Sequence, residues 1–220
     1  VITKAGEPGC GHHGCTNDLR DHWVGLPNAV TVLRGIGTAV LCLIAAGATT
    51  AWPWLLAALA TYWLGDIADG LLARWTGTET RTGAVLDILT DRLSVCLIIA
   101  IYGTIEPGVL LPATVFLVQF VVVDAYLSLA FLGWPLLSPN YFHLVDAAVY
   151  RWNWSPPAKA LNTGAVVAVW LLTHNPIAAT AVAVAALSVK VAGAVRLAAR
   201  TPPATRRGCA VDESTDGAHL

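Results

Sequence analysis

Four aspartates stand close together in GDIADGLLARWTGTETRTGAVLDILTD (Gly65–Asp91): Asp66, Asp69, Asp87 and Asp91. The sequence on both sides is almost wholly apolar. Asp66 and Asp69 are three positions apart and Asp87 and Asp91 four, so on helices each pair shares one face. Taking a carboxylate out of water without a partner is costly, and four that converge repel one another. The neighbouring Arg92 cannot neutralise four acids. Divalent cations can, and hard oxygen ligands select Mg²⁺, Mn²⁺ or Ca²⁺. Two such ions bridged by carboxylates balance the charge and make a template for phosphoryl chemistry. Acids inside a membrane segment are functional by default.

Small residues lie beside the acids. Gly70 and Ala73 follow Asp69 at helical spacing and leave a groove, as Gly83 and Ala84 do at the start of the next segment. Alone, Gly70 and Ala73 read more readily as helix-packing residues, and Arg74 as an ordinary interfacial arginine. Next to a carboxylate cluster, Arg74 can hold a phosphate by a bidentate contact.

The elements that carry these residues read as membrane helices. Of 220 residues, 56% are hydrophobic and 12% charged, with mean hydropathy +0.63; average soluble domains carry about 25% charged residues. Net charge is −1, and no nucleic-acid-binding motif is present, so nucleic acid is excluded as a partner. Five cysteines imply no disulfide framework. Spans need about 20 apolar residues, and six are predicted, at Ala29–Ala48, Trp52–Ala73, Gly83–Tyr102, Val109–Gly133, Lys159–Leu172 and Ile177–Leu197. Pro and Gly fill most of the gaps. Trp52, Trp54, Trp75, Trp134, Trp152 and Trp154 fall near span ends, as an aromatic belt does.

The loops after the first, third and fifth spans contain no Lys or Arg, whereas Arg74, Arg81, Arg151, Lys159, Arg196 and Arg200 lie on the other side with the basic residues of both tails. The positive-inside rule then places both termini and the Arg74–Gly83 loop in the cytosol. The expectation is an all-α integral membrane protein of the cell membrane. A polar tail over 1–25, with a short interfacial helix and no signal-peptide core, precedes a six-span domain over 26–200 and a disordered tail over 201–220. In the antiparallel hairpin of the second and third spans, at about 1.5 Å per residue, Asp69 and Asp87 lie about 6–7.5 Å from the cytosolic end and Asp66 and Asp91 about 12 Å. The four acids then meet at two matching levels near the cytosolic face.

The full pattern is Asp66, two residues, Asp69-Gly70, two residues, Ala73-Arg74, eight residues, Gly83, three residues, Asp87, three residues, Asp91. It resembles the signature of the CDP-alcohol phosphotransferase family at every fixed position. The segment LPNAVTVLR (Leu26–Arg34) and the six-span layout are also similar to that family. The resemblance implies a two-metal site for Mg²⁺ or Mn²⁺, with Asp66, Asp69, Asp87 and Asp91 as ligands and Asp91 also as general base. It implies that Gly70, Ala73, Arg74 and Gly83 hold the CDP moiety, with Thr31 and Arg34 lining the same cavity. The activity it implies is transfer of a phosphatidyl group from a CDP-alcohol, most often CDP-diacylglycerol, to an acceptor hydroxyl with release of CMP in phospholipid synthesis. Homodimers are common in the family.

The acceptor is less legible. WSPPAKALNTGAVVAVWLL (Trp154–Leu172) resembles the corresponding segment of phosphatidylglycerophosphate synthases. It offers Lys159 and Thr163, with Arg196 and Arg200 adding charge, for an anionic acceptor such as glycerol 3-phosphate. The fourth span departs from those enzymes, carrying Asp124 where they carry an arginine. The aromatic loop SPNYFHLVDAAVYRWNWSPP fits a lipid acceptor, as in cardiolipin synthases of the family, and an inositol-phosphate acceptor is a further alternative. Cys10, His12, His13 and Cys15 are zinc-ligand types, but their tight spacing matches no zinc finger and reads as tail. A carboxylate-based transporter would not need Gly70, Ala73 and Arg74 in this frame. An intramembrane prenyltransferase would carry its acid motifs on helices farther apart in sequence.

Overall fold

The computed structural model describes residues 24–202. Both polar tails, with the Cys10–Cys15 cluster, lie outside the described residues.

Long helices form wherever the apolar segments predict them, and their ends follow from local chemistry. Helix α1 (Leu26–Gly47) starts on Pro27, whose fixed φ suits a first turn. Helix α2 (Trp52–Thr76) ends at Gly77, which takes the left-handed conformation (φ 63°) that glycine adopts without strain. Helix α3 (Arg81–Ile105) is capped by Thr80, whose hydroxyl accepts from the Gly83 N–H at 3.0 Å. Helix α4 (Pro107–Gly133) is continuous but irregular, with a π-helical turn over Val118–Val123 just before Asp124. A loop with a short 3₁₀ helix (Pro139–Leu144) leads to α5 (Ala147–Asn153). Helices α6 (Pro156–Thr173) and α7 (Pro176–Ala198) complete the described chain, capped by Ser155 and Asn175. No strand occurs among the described residues.

By length and composition α1, α2, α4 and α7 can each cross a membrane. The expectation of six has a physical reason to fall short on that measure. Helix α3 is as long as α2 but carries Arg81, Asp87, Asp91 and Arg92, and α6, of 18 residues, carries Lys159 and Asn162 in its first half. Two of these residues, Asp87 and Asp91, are among those expected to do the chemistry.

Helix α1 packs most extensively on α2 and also against α3, which brings its buried face, Thr31, Arg34, Gly35 and Thr38, onto the acid-bearing hairpin. A second core joins the end of α4, the following loop, α5 and the end of α7, through Leu127, Phe131, Leu136, Phe142, Trp154 and Leu197. Phe142 stacks on Trp154 with ring centroids 4.6 Å apart.

Asp146 ties that core together. Its Oδ1 accepts from the N–H groups of Ala148 and Val149 at 3.0 Å, capping α5. Its Oδ2 accepts from Arg196 Nε and Arg200 Nη2, both at 2.9 Å. Burial alone would raise its pKa, but the Val149 N–H and the two guanidiniums hold it down at about 2. The stability this adds is full above the ordinary carboxylate value and is lost as pH falls through about 2. Asp146→Ala removes the cap and leaves both arginines without their acceptor. The expected cost is about 1–2 kcal/mol, read as a lower melting temperature in detergent at pH 7 with no change in metal affinity.

Candidate active site

The four aspartates converge, and a cation stands among them. Arg34, 3% exposed, reaches from α1 into the α2–α3 hairpin. Its Nε donates to Asp69 Oδ2 at 3.1 Å and its Nη1 to Asp91 Oδ1 at 2.9 Å. Its Nη2 donates to Asp87 Oδ1 and lies 3.5 Å from Asp66 Oδ1. Thr31, one helical turn earlier, adds a hydroxyl hydrogen bond to Asp69 Oδ2 at 2.6 Å. Gly65 makes this possible: a Cβ there would lie 2.6 Å from Arg34 Cβ and 2.8 Å from Cδ.

Asp66, Asp69 and Asp87 each offer a carboxylate oxygen, all within 4.8 Å of one another. Asp91 is not part of that group and sits on the Nη1 side of Arg34. Four carboxylates against one guanidinium leave three negative charges. A hard divalent cation fits such an oxygen set, so the residues present match the metal site that the spacing implied.

A cleft of about 330 Å³ opens on this cluster, within the range of small-ligand pockets. Asp66, Asp69 and Asp87 line it, with Thr31, Gly70, Ala73, Arg74 and Gly83. The Arg74 guanidinium lies over Gly70, 3.4 Å from where a Cβ would stand. Arg34 is the exception among the residues assigned to CDP: it lies behind the carboxylates, outside the cleft lining. At Gly83 a Cβ would meet Asn28 Oδ1 at 2.7 Å and Thr80 Oγ1 at 2.9 Å, so these two side-chain ends would have to shift to admit one.

The loop that the sequence singled out from Ser138 onward borders the same cleft, together with Leu137 and Glu79, which it did not single out. Leu137, Ser138 and Asn140 of the loop after α4, and Glu79 of the α2–α3 turn, line the cleft. Tyr141 Oη donates to Glu79 Oε2 at 2.7 Å, tying loop to turn. Burial first, and the Glu79 carboxylate second, push the Tyr141 phenol up, which keeps its proton on.

The acceptor candidates separate. Lys159 lines the cleft, and its Nζ donates to Asn140 Oδ1 at 2.7 Å. Arg196 and Arg200 are held by Asp146 instead. Thr163 falls within α6, and its side chain lies outside the described residues. Asp124, the departure in the fourth span, accepts from Arg92 Nη2 at 2.6 Å and Lys190 Nζ at 2.5 Å, and Arg92 also stacks over Phe120 at 4.0 Å. This pairing joins α3, α4 and α7.

A model of the CDP-alcohol phosphatidyltransferase family matches residues 24–195, and the chain belongs to that family. Neither a curated protein nor a solved structure matches it. Membership makes the chain an enzyme of phospholipid synthesis, a phosphotransferase for substituted phosphate groups that takes a CDP-alcohol as donor and an alcohol as acceptor. The family is generally dependent on divalent cations.

Proposed function

We propose that this enzyme moves a phosphatidyl group from CDP-diacylglycerol to a polar acceptor hydroxyl at the cytosolic face of the cell membrane. In this reading all six long helices, α1–α4, α6 and α7, span the bilayer, and both termini and the cleft face the cytosol. The observation that carries it is the convergence of three carboxylates lining one cleft with Arg74 at its rim.

Asp66, Asp69 and Asp87 would hold the divalent ions, Mg²⁺ or Mn²⁺. When bound, the ions supply Lewis-acid stabilisation of charge on the pyrophosphate. The chain's own groups do the rest. Gly70, Ala73 and Gly83 leave room for the nucleotide, and Arg74 binds its phosphate as a fork. The Asp91 carboxylate takes the proton from the acceptor hydroxyl. That oxygen then bonds to the β-phosphorus as the bond from this phosphorus to the bridging oxygen breaks. CMP leaves with the electron pair on its phosphate. Orientation of the two substrates across the cleft supplies a large part of the acceleration.

The first acceptor on this reading is glycerol 3-phosphate, because Lys159 lines the cleft and can pair with a phosphate. With Arg196 and Arg200 engaged by Asp146, the cationic set for that acceptor narrows to Lys159. A lipid acceptor is the second reading, favoured by the aromatic loop whose residues 137–140 border the cleft.

The test is CMP release by detergent-purified protein given CDP-diacylglycerol, Mg²⁺ or Mn²⁺, and one acceptor at a time: glycerol 3-phosphate, inositol phosphate, serine or phosphatidylglycerol. Release with glycerol 3-phosphate alone supports the first reading, and release with phosphatidylglycerol alone supports the second. No release with any of them contradicts the pairing of CDP-diacylglycerol with these acceptors and points to another donor, another acceptor or another use of the metal site. Arg74→Lys replaces the fork with a point charge. It is expected to raise KM for the CDP donor about tenfold, the equivalent of one charge-assisted hydrogen bond. An unchanged KM would contradict the role given to Arg74.

A further inference from the structure

Arg34 is not positioned as a ligand for a substrate. It spends all three of its nitrogens on the chain's own acids: Nε on Asp69, Nη1 on Asp91, and Nη2 on Asp87 with Asp66 beside it. Its stem passes over Gly65, where any side chain would collide with it, and Tyr62 lies under the guanidinium with its ring centroid 5.7 Å away. This fixed cation therefore stands within reach of the same carboxylates that would bind metal.

We propose that Arg34 is an internal counter-cation of the acid cluster. It keeps the four carboxylates assembled in the metal-free protein and, by like-charge repulsion, weakens the divalent cation that shares them. This inference rests on the reading of Asp66, Asp69 and Asp87 as metal ligands. Arg34 is a positioning residue on this account. It acts through the carboxylates, and its effect is visible without any substrate.

Arg34→Gln tests it, because the amide keeps a donor in the cluster while removing the charge. Two readouts on the full chain in detergent suffice. One is the Mn²⁺ dissociation constant, from the loss of the free-ion paramagnetic resonance signal. The other is the melting temperature in chelator and in excess Mn²⁺. Removing one unit of like charge a few ångströms from the ion should tighten Mn²⁺ binding about tenfold. The same change should lower the melting temperature in chelator and widen the gap between the two conditions. If Arg34→Gln is recoverable only with Mn²⁺ present, that is the strongest form of the same result. Should it not be recoverable at all, Arg34→Lys serves. An ammonium keeps the charge but cannot reach all four acids, so the melting temperature in chelator should fall while Mn²⁺ affinity stays within about threefold of wild type.

Unchanged or weaker Mn²⁺ binding in Arg34→Gln overturns the inference, as does wild-type stability of Arg34→Lys in chelator. An absence of Mn²⁺ binding to the wild-type protein is a different failure: it removes the metal-ligand assignment on which the inference rests.

Discussion

Asp91→Asn is expected to fold and to lose turnover by about 10²–10⁴-fold, the range for removing a general base. Asparagine has the shape of aspartate and keeps a carbonyl oxygen, so Arg34 Nη1, now 2.9 Å from Asp91 Oδ1, retains an acceptor there. The change takes one negative charge from a cluster that holds four acids against one guanidinium. Its melting temperature in chelator should therefore not fall. What the variant loses is a carboxylate able to take the acceptor's proton. CMP release at saturating donor and acceptor should collapse while KM for the CDP donor stays near wild type, because the residues given to CDP are untouched. The base is assigned to Asp91 on the family resemblance, and Asp91 lies outside the group of three mutually close carboxylates. Full turnover in this variant would remove that assignment. A collapse accompanied by a large drop in melting temperature would make Asp91 a structural acid instead.

The acids were legible because their arrangement is local. Spacings of three and four fix a shared helical face whatever the rest of the fold does, and a short turn ending in a left-handed Gly77 brings the two faces together. Thr31 and Lys159 were legible in part, through the family resemblance of their segments. The role of Arg34 was not. It depends on how α1 rotates against the hairpin, a tertiary fact. In the sequence Arg34 is one arginine in an apolar run, and Gly65 is one glycine among several. The collision distance of 2.6 Å explains both at once. Arg196 and Arg200 show the opposite case. Their charge was visible, but Asp146, whose place at the start of α5 depends on the loop's folding, captures both. The pairing of Asp124 was not legible, because its partners come from α3 and α7, far apart in sequence. Helices α3 and α6 are not among the four that can cross a membrane by length and composition, and α3 carries two of the four site acids.

Removal of divalent cations should abolish CMP release, and Mg²⁺ or Mn²⁺ should restore it; Asp87→Asn should make that restoration fail. Asp87 is the informative ligand. It lines the cleft, belongs to the three-oxygen group, and comes from α3, whereas Asp66 and Asp69 both come from α2. Its loss leaves that three-oxygen group with two acids, both on α2. Changes in residues that merely support a ligand typically cost 10–100-fold in metal affinity, so loss of this ligand should weaken Mn²⁺ binding by about 100-fold or more. A control separates this from general damage to buried charge. Asp124→Asn leaves Arg92 and Lys190 without their carboxylate. Breaking a buried pair is strongly destabilising, so that variant should melt earlier. Because Asp124 is not among the three close carboxylates, its Mn²⁺ affinity should remain near wild type. Loss of affinity in Asp87→Asn without loss of stability, and the reverse in Asp124→Asn, would assign the two acid clusters opposite duties: one to hold a cation from solution, the other to join helices. Equal loss of affinity in both variants would mean that the metal response reports only the integrity of the bundle, and the three carboxylates would no longer stand as ligands.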